Sequence, residues 1–201
     1  MPLEKFDELS LIGLFQPPPT DELSEKISQN LRATKSMLEL DVISIGDVDE
    51  KSHIEFEMRG DLSVLVHPDH DIRVSSENLT VDRVSEVEDC LINLIARIHQ
   101  VGLESQIQVS GMGHASLTTD SQRTKIAAFL SKYTPSQVEL RTQAVLLRVS
   151  DGVGIAVARP DEVDIILSLS TDPAKLQKGF LVGRVDEALR AIDDVILGNG
   201  K

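Results

Sequence analysis

Aromatic residues and cysteine are scarce in this chain. Of its 201 residues, 3% are aromatic, with no Trp and one Tyr. The core must therefore be built from Leu, Ile and Val, and a surface that stacks bases or sugars on rings is poorly supplied. The single cysteine, Cys90, excludes an intrachain disulfide and a cysteine-type zinc site. Because Cys90 lies in an apolar helical stretch, we expect it to be a buried core residue.

Positive charge is also in short supply. The chain has 20 Lys and Arg against 33 Asp and Glu, a formal net charge of −13. Such a surface repels phosphate backbones, so it disfavours unaided nucleic-acid binding and favours basic partners or cations. No apolar run reaches membrane-spanning length, and "MPLEKFDEL" at the N-terminus lacks the pattern of a secretory signal. We therefore predict a soluble, cytoplasmic protein that does not associate with membranes.

Hydrophobic periodicity predicts a mixed order of helices and strands. Apolar residues at helical spacing predict four helices, at about 21–37, 81–101, 120–133 and 184–197. Alternating or short apolar runs predict strands at 3–15, 42–48, 53–60, 62–68, 71–75, 106–113, 138–149, 153–159, 163–169 and 180–183. The prolines at 17–19 separate the first apolar segment from the first helix.

Two segments of the chain resemble each other. "VDRVSEVED" at 81–89 and "VGRVDEALR" at 182–190 share four residues at an offset of 101, and the same offset links apolar positions in the preceding strands. We therefore predict an α+β fold with two tandem copies of a (β)-α-β-β-β-(β)-α unit, related by a pseudo-twofold axis. Each copy would have an antiparallel sheet covered by helices. The predicted domains are a first repeat at 1–101, led in by 1–19, a linker at 102–117 and a second repeat at 118–201.

The sequence leaves open whether the two copies form one continuous sheet or pack face to face. The element order is similar to the two-repeat saddle of the TATA-binding protein family, and Tyr133-Thr134-Pro135 followed by a strand resembles that family too. The resemblance implies a saddle acting in transcription. That family wedges pairs of phenylalanines between base steps from a basic concave face, whereas the strands here carry aliphatic residues. DNA binding is therefore not carried over. Acidic type III secretion chaperones are similar in layout alone.

The segment "VHPDHD" at 66–71 is the first candidate site. It places His67, Asp69, His70 and Asp71 together at the end of a strand. Imidazole and carboxylate are good ligands for Zn²⁺ and similar divalent ions. The equivalent segment of the second half, "LSLSTD", has no histidine, so a metal site would belong to one repeat. The alternative is a polar, solvated turn.

The segment "SGMGHAS" at 110–116 is the second candidate. It follows a strand and precedes a helix, like a glycine-rich phosphate loop, which makes Gly111, Gly113 and His114 candidate cofactor-binding residues. A third glycine is missing, and the predicted helix begins too late to receive a phosphate. A flexible linker is the alternative. His114 with Ser110 or Ser116 lacks an oriented third group for acyl chemistry.

Arg83 and Arg184 occupy equivalent positions in the two proposed copies. They are candidate anchors for an acidic partner or for the contact between repeats. The favoured alternative is a local ion pair, because Glu86 and Glu187 each follow three residues later on the same helix face.

We predict a non-enzymatic protein-binding module, adaptor or chaperone-like, with an acidic surface and a pseudo-symmetric sheet groove. It would bind a protein partner or a second copy of itself. We predict no catalytic residue, and no cofactor apart from the divalent metal ion for which the segment at 66–71 is a candidate site. The alternatives are a metal-dependent enzyme using His67, Asp69 and His70, and a saddle like the TATA-binding protein acting in transcription.

Overall fold

The computed structural model describes residues 4–33, 42–49, 53–58, 61–102, 106–133, 144–171 and 178–198. Within these ranges the helices are α1 (Asp21–Ala33), α2 (Val84–Gln100), α3 (Asp120–Tyr133) and α4 (Phe180–Ala191). The strands are β1 (Lys5–Gln16), β2 (Val42–Asp49), β3 (His53–Met58), β4 (Leu62–His67), β5 (Asp71–Thr80), β6 (Gln106–Ser116), β7 (Val145–Ser150), β8 (Val153–Arg159) and β9 (Glu162–Thr171). None of the helices in these ranges is long and apolar enough to span a bilayer.

All nine described strands belong to one sheet in the order β2-β3-β4-β5-β1-β6-β9-β8-β7. Every neighbouring pair is antiparallel, which confirms the α+β class. The halves meet where β1 pairs with β6, from Glu8 opposite His114 to Gln16 opposite Gln106. Of the two arrangements that the sequence left open, the described strands therefore form the continuous sheet. Each half places its first strand beside its last, as the duplication requires, but the duplication itself stays a prediction.

The sheet buries one face against helices. Along β4, Leu62, Val64 and Val66 are buried while the residues between them are half-buried. The buried side faces α2, since a Cβ at Gly13 would lie 3.7 Å from Ile95 and Leu91. Side chains on the other side are mostly half-buried or exposed, and we call it the open face.

Cys90 lies on the buried side of α2, as predicted. Burial raises the pKa of its thiol to about 12. A thiolate is the nucleophilic form of cysteine, so this side chain is a core residue and not a reactive group.

Two predicted segments differ in the structure. Residues 106–116, expected to be a strand with a loop in a linker, form the single strand β6, because Ile107, Val109 and Ala115 are buried in alternation with residues of the open face. Residues 180–183, expected to be a strand, are the first turn of α4, which begins after the left-handed Gly179. The predicted helix end at 34–37 and the strand start at 138–143 lie outside the described residues.

A buried carboxylate joins the two halves on the helical side. Glu88 of α2 is fully buried. Its Oε1 accepts the N–H of Leu181 at 2.7 Å and its Oε2 accepts the N–H of Gly179 at 3.0 Å. Glutamate is almost never fully buried without partners, and Glu88 is buried because it satisfies free backbone donors where α4 begins.

Candidate functional site

Four side chains form a row across the open face. Glu77 of β5, Glu8 of β1, His114 of β6 and Asp164 of β9 are successive cross-strand partners. We call this set the acidic row. Glu8 and Glu77 are both exposed, and like charges directly opposite each other destabilise a sheet. The row is therefore a place where a cation from outside would be favourable.

His114 is the basic member of the acidic row. Its Nδ1 lies 2.6 Å from Oδ1 of Asp164. This hydrogen bond raises the pKa of His114 above its ordinary 6.5, burial acts in the opposite direction, and the charges of Asp164, Glu162 and Asp7 add to the increase. Asp7 in turn accepts the backbone N–H of Ser116 at 2.6 Å. Hydrogen bonding to Ser116 lowers the pKa of Asp7, against the effect of burial.

The His114–Asp164 pair predicts a pH-dependent stability. Because the folded pKa of His114 is raised, its contribution is fully present below the ordinary pKa and is lost as pH rises through the raised value. We expect His114→Gln to lower the free energy of unfolding more at pH 5.5 than at pH 9, measured by urea denaturation at both pH values. An equal loss at both would show that the charged pair contributes nothing.

An apolar patch adjoins the acidic row. Met112 of β6 is 57% exposed and Leu146 of β7 is 67% exposed. Ile166 of β9 pairs with Met112 on one side and with Gly154 of β8 on the other. A Cβ at Gly154 would lie 4.0 Å from both Ile166 and Leu146, so the glycine leaves the space between them open. We call Met112, Ile166 and Leu146 the apolar patch.

The four residues predicted as metal ligands lie at the turn between β4 and β5, and we call them the His–Asp cluster. His67 pairs with Asp71 across the hairpin, and their Nδ1 and Oδ1 atoms are 2.6 Å apart. The rings of His67 and His70 stack at 4.5 Å between centroids, with an interplanar angle of 17°. His70 Nδ1 lies 2.6 Å from Asp69 Oδ1. One ligand atom from each of His67, His70 and Asp71 lies within 4.8 Å of the others.

A third histidine belongs to the same place and was not predicted. The ring centroid of His53 lies 5.5 Å from that of His67. Ile54 of β3 pairs with Val66 of β4, which sets the residue before Ile54 beside the residue after Val66. The sequence predicted both strands, so the register of this hairpin was the missing signal.

The glycines of β6 do not form a phosphate loop. Gly111 and Gly113 lie inside the strand on its buried side, where a Cβ at Gly111 would be 2.6 Å from Leu11 and one at Gly113 would be 2.8 Å from the Phe6 ring. This corrects the predicted loop, because these glycines make room for core side chains. His114 has an oriented carboxylate, Asp164, but the described contacts include no hydrogen bond from it to a serine.

Arg83 and Arg184 both make the expected local ion pairs. Arg83 binds Glu86 through Nε at 3.0 Å and Nη2 at 2.8 Å, and this hydrogen bonding raises the pKa of Arg83. Arg184 binds Glu187 at 3.1 Å and lies 5.5 Å from the centre of the Phe180 ring. Both expected local pairs are therefore present, and a role for these arginines as anchors stays a prediction.

Comparison with known proteins adds little. No protein-family model matches the chain, and no curated protein matches it. Among solved structures, the chain is similar to Methanococcus jannaschii TBP, with 14% sequence identity and a TM-score of 0.35 over 97% of this chain and 100% of that one. A likeness at this level supports no conclusion about fold or function.

Proposed function

We propose that this protein is a non-enzymatic binding module that holds a basic segment of a protein partner on its open face. The observation that carries the proposal is the acidic row lying directly beside the exposed apolar patch. A segment with Lys or Arg next to Leu, Ile or Met side chains would match both features at once.

Charge supports a basic partner. The four central strands, β5, β1, β6 and β9, carry six carboxylates, Asp7, Glu8, Asp71, Glu77, Glu162 and Asp164, against the basic side chains Lys5 and Arg73. Glu8 opposite Glu77 is unfavourable in the free protein, so a lysine or arginine placed between them relieves a repulsion as well as forming an ion pair. Complementary charge of this kind also steers association.

The apolar patch supports a protein segment rather than a free cation. Single exposed apolar residues are ordinary, but a contiguous group on one face marks a contact surface. Met112, the member of the patch that lies on β6, has an unbranched side chain that adapts to different partner side chains. The patch and the acidic row occupy neighbouring positions on β6 and β9, so one extended segment can reach both.

The same features argue against the alternatives. A transcription saddle would present carboxylates to phosphates, which repel each other. His114 and Asp164 form a base and its orienting group, but acyl chemistry also needs a nucleophile within hydrogen-bonding reach, and the described contacts of His114 include none. Binding without catalysis is the function that fits both the acidic open face and the described contacts of His114.

The partner-binding surface can be tested with variants of the open face. Tagged wild-type protein, the double variant Met112→Glu/Leu146→Glu and the double variant Glu8→Gln/Glu77→Gln are used for pull-down from the native cells. Val195→Glu is the matched control, because Val195 is 57% exposed but belongs to the helical turn Ile192–Ile196. We expect a partner held by wild type and the control, weakened about tenfold or more by the apolar-patch variant. The Glu8→Gln/Glu77→Gln variant should make partner binding less sensitive to salt, because it removes two charges from the acidic row.

Two outcomes contradict the proposal. A partner that the Met112→Glu/Leu146→Glu variant retains at wild-type affinity binds elsewhere on the molecule. A purified protein that captures no partner and carries a bound small molecule is a small-molecule binder.

A further inference from the structure

We propose that the His–Asp cluster binds one divalent transition metal ion of the Zn²⁺ type, with His67, His70 and Asp71 as ligands. This proposal is independent of partner binding. It rests on the spacing of the donor atoms, on the burial of Asp71 and on the way the turn is held.

The hydrogen bond that His70 makes to Asp69 leaves Nε2 as the ring nitrogen that can bind a metal ion. Its Nδ1 donates to Asp69 Oδ1 at 2.6 Å, because an ionised carboxylate only accepts. The proton is then on Nδ1, and the lone pair is on Nε2, which lies 4.0 Å from Oδ2 of Asp71. Zn²⁺ binds nitrogen and oxygen at about 2.0–2.2 Å, so an ion between these two atoms needs only a small closure. A carboxylate on the far ring nitrogen is the usual support of a metal-binding histidine.

Asp71 is the buried member of the cluster. Its side chain is 9% exposed, and the hydrogen-bond and ion-pair partners described for it are the rings of His67 and His70. A buried carboxylate is normally paired with a cation or bound to a metal. A metal ion shared with the two imidazoles supplies positive charge to a carboxylate whose described partners include no lysine or arginine.

The backbone holds the ligands in place. The N–H of His70 donates to the carbonyl of His67 at 3.0 Å, and the N–H of Phe15 donates to the carbonyl of His70 at 2.9 Å. The turn is therefore tied both within itself and to the end of β1. A site whose ligands are already positioned loses less conformational entropy when the metal binds.

His53 extends the donor set on β3. Its ring is next to that of His67, at 5.5 Å and an interplanar angle of 56°. Because Zn²⁺ in proteins takes four ligands, His53 is the side chain that would complete the set after a change of rotamer. The prediction is that His53→Ala weakens binding less than His70→Ala does.

The test uses the full chain, treated with a chelator and then freed of it, and titrated with Zn²⁺ by calorimetry and with Co²⁺ by visible absorption. We expect one ion per chain. His70→Ala, whose side chain is 51% exposed in the wild type and so removable without loss of fold, should weaken binding at least tenfold. Asp69→Asn should weaken it about tenfold through loss of the support to His70. His114→Gln is the matched control, since it removes a histidine that also pairs with an aspartate but has no second histidine beside it, and it should bind as wild type does.

Circular dichroism of each variant separates loss of fold from loss of ligands. No binding by wild type, or binding that His70→Ala leaves unchanged, overturns the proposal. Equal weakening by His70→Ala and His114→Gln also overturns it, because that result means diffuse binding to an acidic surface.

Discussion

Replacing Glu88 by alanine is expected to lower the free energy of unfolding by about 3–5 kcal/mol. The wild-type carboxylate is fully buried and accepts two backbone N–H groups, those of Gly179 and Leu181. A hydrogen bond to a charged group contributes about 1.5–3 kcal/mol. Alanine removes both bonds, leaves the two donors buried without an acceptor, and removes a negative charge from the start of a helix, where it is favourable.

The neighbouring residue provides the control for Glu88. Asp89 forms a partly exposed ion pair with Lys178, so Asp89→Asn should change the free energy of unfolding by less than about 1 kcal/mol. Glu88→Gln keeps one acceptor oxygen but turns an amide N–H₂ toward the other donor, and it should fall between the two. Urea denaturation measures all three. A loss for Glu88→Ala as small as that for Asp89→Asn would mean that the contact does not stabilise the fold.

The burial of Glu88 shows what a helical pattern leaves out. The helical spacing of Val84, Val87 and Leu91 matches their burial against the core, but glutamate is seldom buried, so the spacing gives no reason to expect Glu88 among them. The partner that makes its burial favourable comes from residues 179 and 181, which are more than 90 positions away. A contact between residues so far apart in the sequence cannot be inferred from the pattern of a short segment.

The individual strands of the sheet could be predicted from the sequence, but the strand pairing that joins its two halves could not. Alternation predicted most strands, because an antiparallel strand with one face on the core alternates apolar and polar residues, as the sequence of β3 does. The joining pair, β1 with β6, depends on long-range hydrogen bonds such as those around Glu8 and His114. The glycines of β6 were misread because glycine is uncommon inside strands and typical of loops. Their reason for being in a strand, contact with Leu11 and Phe6, is again long-range.

The candidate sites differ in how far apart their residues lie in the sequence. Most of the His–Asp cluster could be predicted because its members are contiguous in the sequence and a hairpin keeps them together. The acidic row and the apolar patch could not, since they draw on β5, β1, β6, β9 and β7, and no local pattern shows which residues become neighbours.

The two proposed sites lie at opposite ends of the open face. Glu8 of the acidic row and Leu14, the partner of Asp71, are six residues apart on β1, a distance of about 20 Å at the rise of an extended strand. At that separation, substitutions at the two sites should act additively. Loss of metal binding by His70→Ala should therefore leave partner capture intact, and the failure of one proposal can be told from the failure of the other.

Replacing Gly113 by alanine is expected to destabilise the protein by about 1–3 kcal/mol, the usual cost of overpacking a core. A Cβ at this position would lie 2.8 and 2.9 Å from two atoms of the Phe6 ring and 3.2 Å from Leu9. Phe6 and Leu9 are buried, so the ring cannot turn into solvent. Alanine is otherwise the better residue in a strand, so a loss of stability can only come from this contact.

Gly154 is the matched control, because it also lies in a strand but its Cβ would meet nothing closer than 3.4 Å. Gly154→Ala should be neutral or slightly stabilising. Phe6→Leu removes the ring, so adding Gly113→Ala to that background should cost less than it does in the wild type, a coupling that a double-mutant cycle measures by urea denaturation. If Gly113→Ala costs the same in both backgrounds, the packing of Phe6 against β6 is not the reason that this strand has a glycine there.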